Sequence, residues 1–469
     1  MLHQSAIEGY FAQQEGLLVE AVSRLVRIDS TLGPAQPGQP FGPGPAAALE
    51  AFLSLAQEWG LPGENLSGYV GTVDLNNQPD TALHILGHLD IVDAGEGWTV
   101  TAPFQPKVVD GLLYGRGTAD DKGPMVAALL AMKAIRDLKL PLTKNVRLIA
   151  GTDEETGFRD IKWYYGSHPY APHTLSPDAD FPIINLEKGH YQPTFQADWP
   201  QETALPRVAA FSGGTRLNMV PPKAQATILG LSPRQVEEAF QALALEGAVT
   251  CTCTQEGEAL HVACAGQNAH GSTPEEGHNA QTALVALLAA LPLADCPSTR
   301  AIRALHTLFP HGDHRGTALG IAQADDLSGP LTLAFTMLTL NDTGCTGRFD
   351  SRTPLTATQA SVQAVAEAAL RAAGFAVQGD MDPPHYVPES DPFLRTLAQC
   401  YEAYTGQKGQ CLAIGGGTYV HDIPGGVAFG PNMPGFVSNL HGPGGGPAHH
   451  RQDLCPSHGG TVPVSQAPF

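Results

Sequence analysis

The chain has 469 residues, more than one ordinary hydrophobic core accommodates, so two or more domains are expected. Its formal net charge of -20, from 26 Lys and Arg against 46 Asp and Glu, repels nucleic acid and anionic membranes and excludes both as expected partners. With 42% hydrophobic residues, a mean hydropathy of -0.09 and no apolar run of transmembrane length, the composition is that of a soluble globular protein.

The first residues, MLHQSAIEGYFAQQEGLL, lack a basic segment followed by an apolar one, so a cytoplasmic location is expected. Ile7, Phe11, Leu18, Val22 and Leu25 fall at helical spacing and predict helix over 5–27, with a second helix over 45–59. Strands and helices then alternate: a strand at 82–87, a helix from Gly123 to about Leu138, the strand NVRLIAG, a short helix from Thr156 and a strand at 182–187. This is the rhythm of a doubly wound α/β sheet, whose motifs lie in strand-to-helix loops. From about His190 the texture shifts to strands at 207–212, 224–229, 247–253, 258–265 and 332–340, mixed with helices at 232–245, 279–291 and 356–373. After Pro383 and Pro384, a helix at 392–405 and the run GGGTY resume the earlier style. The expected organisation is a catalytic domain in two parts, 1–189 and 385–441, an inserted α+β domain at 190–384, and a Gly/Pro/His-rich tail at 442–469. The eight cysteines include no CxxC pair, Cys251 and Cys253 fall in one strand, and all are expected to be reduced thiols.

Each apolar strand of the first part runs into residue types that bind metals. His88 and Asp90 stand in HILGHLDIV, Asp120 in YGRGTADDKG, Glu154 and Glu155 in LIAGTDEETG, and Asp178 in SPDADFPIIN. Imidazole and carboxylate suit borderline divalent cations, and open α/β sheets gather ligands at the carboxyl ends of their strands. A two-metal hydrolytic site needs a bridging carboxylate, which Asp120 can supply, with His88 and Asp178 completing one ion and Glu155 and a later histidine the other. Asp90, two residues past His88, is placed to hold the imidazole, and Glu154 to act on water as general base. Singly, each motif has an ordinary explanation: a surface His–Asp pair, acidic residues in a first helical turn, or an N-cap at Asp120–Asp121. None of these explains why all occur at successive strand ends.

Taken with LYGRGTADDKGPMVAAL, PDADFPIINLEKG, SGGTRLNMVP, AHGSTPEEGHNA, FDSRTP and IGGGTY, these stretches resemble, in the same order, the blocks of the co-catalytic metallopeptidases of clan MH. The likeness lies within residues 84–418 and is greatest to peptidase V and carnosinase-type dipeptidases, with aminoacylases and desuccinylases more distant. It implies a doubly wound, zinc-peptidase-like catalytic domain with an inserted lid. It also implies a monomeric dipeptidase that cleaves small unblocked peptides through a hydroxide bridging two divalent metal ions, zinc, manganese or cobalt. By motif it places His88, Asp120 and Asp178 on one ion, and Asp120, Glu155 and His441 on the other. It further implies Asp90 as the acid orienting the imidazole, Glu154 as base, and a cis Asp120–Asp121 peptide. In the lid it implies His270 as oxyanion donor, Asn218 as a substrate contact and Arg352 as the partner of a substrate carboxylate, while Gly416 in GGGTY lets backbone approach the substrate. Two other readings stay open: an N-acyl amino acid amidohydrolase, and a metal-bound binding protein with impaired catalysis. The latter is motivated by the last 28 residues, 11 of them Gly or Pro, which read as a diverged or frame-shifted replacement for the terminal helix of the resembling enzymes.

Overall fold

The computed structural model describes residues 3–95, 98–245 and 249–434. The expectations for His441, Cys455 and the 442–469 tail lie outside the described residues. The described residues divide into two compact units: those within Met1–Leu186, Tyr386–Leu412 and from Gly417 on form the first, and Glu187–His385 with Ala413–Gly416 the second. Among the described residues, no helix is long and apolar enough to cross a membrane.

The first unit is built on a mixed sheet. Seven of its nine strands are β1 (Gly63–Leu66), β2 (Val70–Asp74), β3 (Thr81–His88), β4 (Asn145–Gly151), β5 (His173–Ser176), β6 (Ile183–Glu187) and β7 (Gly426–Ala428), in spatial order β1-β2-β4-β3-β5-β7-β6, and the short strands His385–Tyr386 and Cys411–Ile414 pair with β6. The central strands β4, β3, β5 and β7 run parallel, whereas the pairs β1–β2, β2–β4 and β7–β6 are antiparallel. Parallel strands are covered on both faces, which is why β3 and β4 read as nearly continuous apolar runs, HILG and LIAG, without polar alternation.

Helices α1 (Gln4–Phe11), α2 (Glu15–Val26), α3 (Pro43–Glu58), α4 (Lys122–Asp137), α5 (Arg159–Tyr165) and α6 (Pro392–Thr405) supply the rest of this unit. Leu25, Phe52, Leu129, Leu148 and Val427, from three helices and two strands, meet in one buried core. The helix expected over 5–27 is two helices. Residues 12–14, Ala-Gln-Gln, add no large apolar group to a continuous stripe, and the chain turns there so that Phe11 and Leu18 are each buried from their own helix.

The second unit carries a ten-stranded sheet around a separate aromatic core of Phe195, Phe309, Phe335 and Phe349. All its paired strands are antiparallel, including the long hairpin Thr332–Asn341 and Gly344–Thr353. The second strand of that hairpin and the helix Pro297–Leu308 were not anticipated from sequence. The helix expected over 356–373 is confined to Gln363–Ala372. Thr358 and Ser361 exchange side-chain and backbone hydrogen bonds (3.0 and 3.1 Å), giving that stretch a local alternative to helix.

One cysteine expectation is overturned. Cys251 lies directly opposite Cys264 on the neighbouring strand, with Cα atoms 4.2 Å apart, and the two form a disulfide. Cross-strand opposition is a long-range fact that spacing along the chain does not carry. Thiol titration of denatured, unreduced protein should therefore find two fewer thiols than after reduction. Equal counts would show that the pair stays reduced.

Candidate metal centre

Strands β3 and β4 are adjacent, parallel and in register, with His88 opposite Gly151, so the loops that follow them emerge side by side. His88 closes β3 and is fully buried. Gly87 before it is required by space, because a Cβ there would lie 2.1 Å from Asp121 Oδ2. That same oxygen accepts the His88 main-chain N–H at 3.1 Å. Asp120 and Asp121 end the loop before α4, and the peptide between them is cis. After β4 the chain makes a single 3-10 turn, Glu154–Thr156. Asp178 follows β5 and keeps part of its surface exposed.

The Asp90 carboxylate joins these loops. Its Oδ1 accepts the Glu154 N–H and its Oδ2 the Glu155 N–H, both at 3.1 Å, while Oδ1 also lies 3.4 Å from His88 Nδ1. His88 Nδ1 is 3.1 Å from the Asp90 carbonyl, so the Nδ1–H donates there and Nε2 is turned the other way. Nε2 faces Asp120 Oδ1 at 3.0 Å and Asp178 Oδ2 at 3.6 Å. Two groups of potential ligand atoms result, each with its atoms within 4.8 Å of one another: His88, Asp120 and Glu155, and His88, Asp121 and Asp178. The structure thus brings together His88, Asp90, Asp120, Glu154, Glu155 and Asp178. It adds Asp121, which the sequence had offered only as part of an N-cap.

The electrostatics of this cluster favour a cation. Burial pushes the Glu154, Glu155 and Asp121 carboxyls well above the usual range, and the neighbouring carboxylates push further in the same direction. Each glutamate keeps some surface open to solvent, yet its carboxyl is hemmed in by others. Burial lowers the His88 imidazole, but Asp178, Asp120 and Asp90 together outweigh it and raise it well above its ordinary value. Two buried atoms here, His88 Nε2 and Asp121 Oδ1, have no partner in hydrogen-bond geometry among the described residues, the 3.0 Å approach of Asp120 to Nε2 included. Buried polar atoms without partners call for a ligand, and an excess of carboxylates around one imidazole suits divalent cations. The residues present fit such ions.

The remaining expected residues belong to the second unit. His270 and Asn218 lie on adjoining exposed segments, with a bridge between Met219 and His270 and the Gly271 N–H donating to Asn218 O at 2.7 Å. The Ser272 N–H donates to His270 Nδ1 at 3.2 Å, so in the neutral ring the proton sits on Nε2. Arg352 is engaged by its neighbours on every side of its fork. Its fork is closed on Asp350, with Nε to Oδ1 at 2.8 Å and Nη2 to Oδ2 at 2.9 Å, while Nη1 donates to Gly415 O at 2.6 Å and to His190 Nε2 at 3.1 Å. Burial pushes the Asp350 carboxyl up, but the Arg352 guanidinium and a hydrogen bond from Gln192 outweigh this and hold it below the ordinary range. So engaged, and 4% exposed, the fork forms a buried ion pair with Asp350. Gly416, half-buried, follows the Gly415 carbonyl that Arg352 holds.

Comparison with known proteins decides the family. The Peptidase family M20/M25/M40 profile matches residues 84–453. The chain belongs to this family. The M20 peptidase is 35% identical over 437 residues to "Putative dipeptidase YtjP" of Bacillus subtilis (strain 168), covering 90% of this chain and 91% of that one. It is 33% identical over 426 residues to the Beta-Ala-Xaa dipeptidase of Lactobacillus delbrueckii subsp. lactis, covering 89% of each. Its fold is similar to that of human carnosine dipeptidase 1, with a TM-score of 0.55, 15% identity and 92% of each chain covered. As in M20 peptidase structures, a mixed α/β sheet and a separate antiparallel sheet make up the architecture. The protein is a metallopeptidase by family.

Without a cation, Glu154, Glu155 and Asp121 have raised folded-state pKa values, so their contribution to stability is present at low pH and is lost as pH rises through those values. Adding a divalent cation to chelator-treated M20 peptidase should therefore raise its melting temperature, and the rise should grow between about pH 5 and about pH 8. A rise of the same size at every pH would contradict it. Arg352→Ala strands the buried Asp350 carboxylate and should destabilise the protein by about 3–5 kcal/mol in denaturant unfolding. A variant as stable as wild type would show that the ion pair contributes nothing net to stability.

Proposed function

We propose that this M20 peptidase is a dipeptidase that uses two divalent metal ions to hydrolyse small unblocked peptides, β-alanyl dipeptides among them. What carries the reading is the convergence of His88, Asp120, Glu155, Asp121 and Asp178 at strand ends, with Glu154 on the same turn as Glu155. The relative named Beta-Ala-Xaa dipeptidase supports the substrate class.

In this reading His88, Asp120 and Asp178 would hold one ion, and Asp120 and Glu155 would hold the second, with His441 as the further candidate donor. Zinc is the first candidate, and manganese and cobalt suit the same donors. When bound, the ions supply a more acidic water and polarisation of the scissile carbonyl. The chain's own groups do the rest. Asp90 fixes the His88 ring through its carbonyl and carboxylate and pins both glutamate N–H groups. Glu154, on the same turn as Glu155 and with its N–H held by Asp90, takes the proton from water and returns it to the departing amine. His270, with its proton on Nε2, donates to the developing oxyanion, and Asn218 contacts the substrate.

Glu154→Ala should lower turnover by at least about 10²-fold while the protein retains its metal by elemental analysis. Near-normal turnover in that variant would refute the base assignment. A panel of dipeptides against N-acetyl and N-succinyl amino acids tests the substrate class. Dipeptides should be cleaved and the acylated compounds spared; the reverse would make the protein an N-acyl amino acid amidohydrolase.

A further inference from the structure

Behind the glutamate turn lies a second, wholly buried polar assembly that the reaction described above does not use. Asp160, in the first turn of α5, is fully buried. Its Oδ2 accepts the N–H groups of Thr152 and Asp153, at 2.6 and 3.0 Å, the two residues that lead from β4 into the Glu154–Thr156 turn. The Tyr419 hydroxyl donates to that same oxygen. Tyr419 comes from the GGGTY run, is fully buried, and sets its ring edge-on to the His88 imidazole with centroids 6.3 Å apart. The assembly allows no side chain at Gly151, where a Cβ would lie 2.0 Å from Tyr419 Oη and 2.6 Å from Asp160 Oδ2.

We propose that Tyr419 and Asp160 are positioning residues for the metal centre, one pair that fixes the turn carrying Glu154 and Glu155 and the ring of His88 at the same time. The geometry is specific to that role. Asp90 holds the turn from the ligand side through the Glu154 and Glu155 N–H groups, and Asp160 holds it from behind through the two preceding N–H groups. Four consecutive backbone donors are thus taken by two carboxylates, which leaves the turn one orientation. Tyr419 then couples this turn to β3, because its hydroxyl is on Asp160 and its ring is on His88. A carboxyl this deeply buried is pushed up to about 7 by desolvation, which the Tyr419 hydroxyl partly offsets. The hydroxyl joins the Thr152 and Asp153 N–H groups as the third donor to one Asp160 oxygen.

The inference deepens the dipeptidase reading, since it concerns the same glutamates, and its test reads cation binding as well as turnover. Zinc chloride is titrated calorimetrically into chelator-treated wild type, Tyr419→Phe, Asp160→Asn and the double variant. Folding is checked by circular dichroism and melting of the chelated proteins. Each single variant should bind zinc about tenfold more weakly, within the range that partners of metal ligands command, and the double variant should lose no more than the weaker single. In a dipeptide assay kcat should fall at unchanged KM. Zinc affinity equal to wild type in folded Tyr419→Phe overturns the proposal, as does a lowered melting temperature with unchanged affinity of the folded fraction, the mark of a merely structural pair. Should Asp160→Asn not fold, Tyr419→Phe decides alone. Weakened zinc binding in the variants, with a wild type that cleaves no dipeptide, would sink the dipeptidase reading and leave the positioning role standing.

Discussion

One carboxylate, that of Asp90, holds the two strand ends on which the rest of the centre depends. Because β3 and β4 are parallel neighbours in register, the residues just beyond them emerge on the same edge of the sheet, but nothing in the sheet itself fixes how their loops lie. Asp90 supplies that constraint. It belongs to the first loop, accepts the Glu154 and Glu155 N–H groups of the second, and flanks the imidazole at the strand end. The first N–H groups of a helical turn have no partner within the turn, so an acceptor there satisfies donors that would otherwise be stranded. Asp90 thus orients the imidazole and both glutamates from one side, while Asp160 holds the same loop from behind through the Thr152 and Asp153 N–H groups.

With the loops fixed, repulsion between like charges governs what the centre can hold. Asp120, Asp121, Glu154, Glu155 and Asp178 crowd around a single imidazole. Two unit charges 4 Å apart interact by roughly 4 kcal/mol at an effective dielectric constant of about 20, so several such pairs exceed what a fold of ordinary stability absorbs. The crowding is relieved either by protons, which is what the raised carboxyl values express, or by divalent cations. The second route relieves the repulsion without protonating the carboxylates.

Much of this was legible in the chain because ligand chemistry and strand patterning are local. HILGHLDIV shows an apolar strand and its imidazole and carboxylate within nine letters, and LIAGTDEETG does the same for the two glutamates. What was hidden depended on contacts between distant residues. Asp121 looked like an N-cap beside a ligand, yet its burial against Gly87 and the His88 N–H makes it a potential ligand too. Asp160 resembled any acidic residue opening a helix, and Tyr419 was noticed only for the glycines before it, because their meeting joins positions 259 residues apart. Arg352 carried the right functional group for a carboxylate, but Asp350, two residues earlier on the same strand, already fills its fork. Cys251 and Cys264 needed a hairpin register to become partners.

The glycines at the two strand ends show how tightly backbone and chemistry are joined here. Gly87 stands one residue before His88, and Gly151 stands opposite His88 on the neighbouring strand. A methyl group at the first would strike the Asp121 carboxylate, and at the second the Tyr419 hydroxyl and the Asp160 carboxylate. Polar groups pack directly onto bare main chain on both strands, from the side of the ligands at one and of their support at the other. In GHLD and GTDEE alike, a glycine ends the apolar run just before the acidic residues begin, and that shared order has a steric cause. A parallel sheet that must admit carboxylates at its edge has to surrender its side chains there, and the ligand motif begins where the apolar strand gives way to glycine.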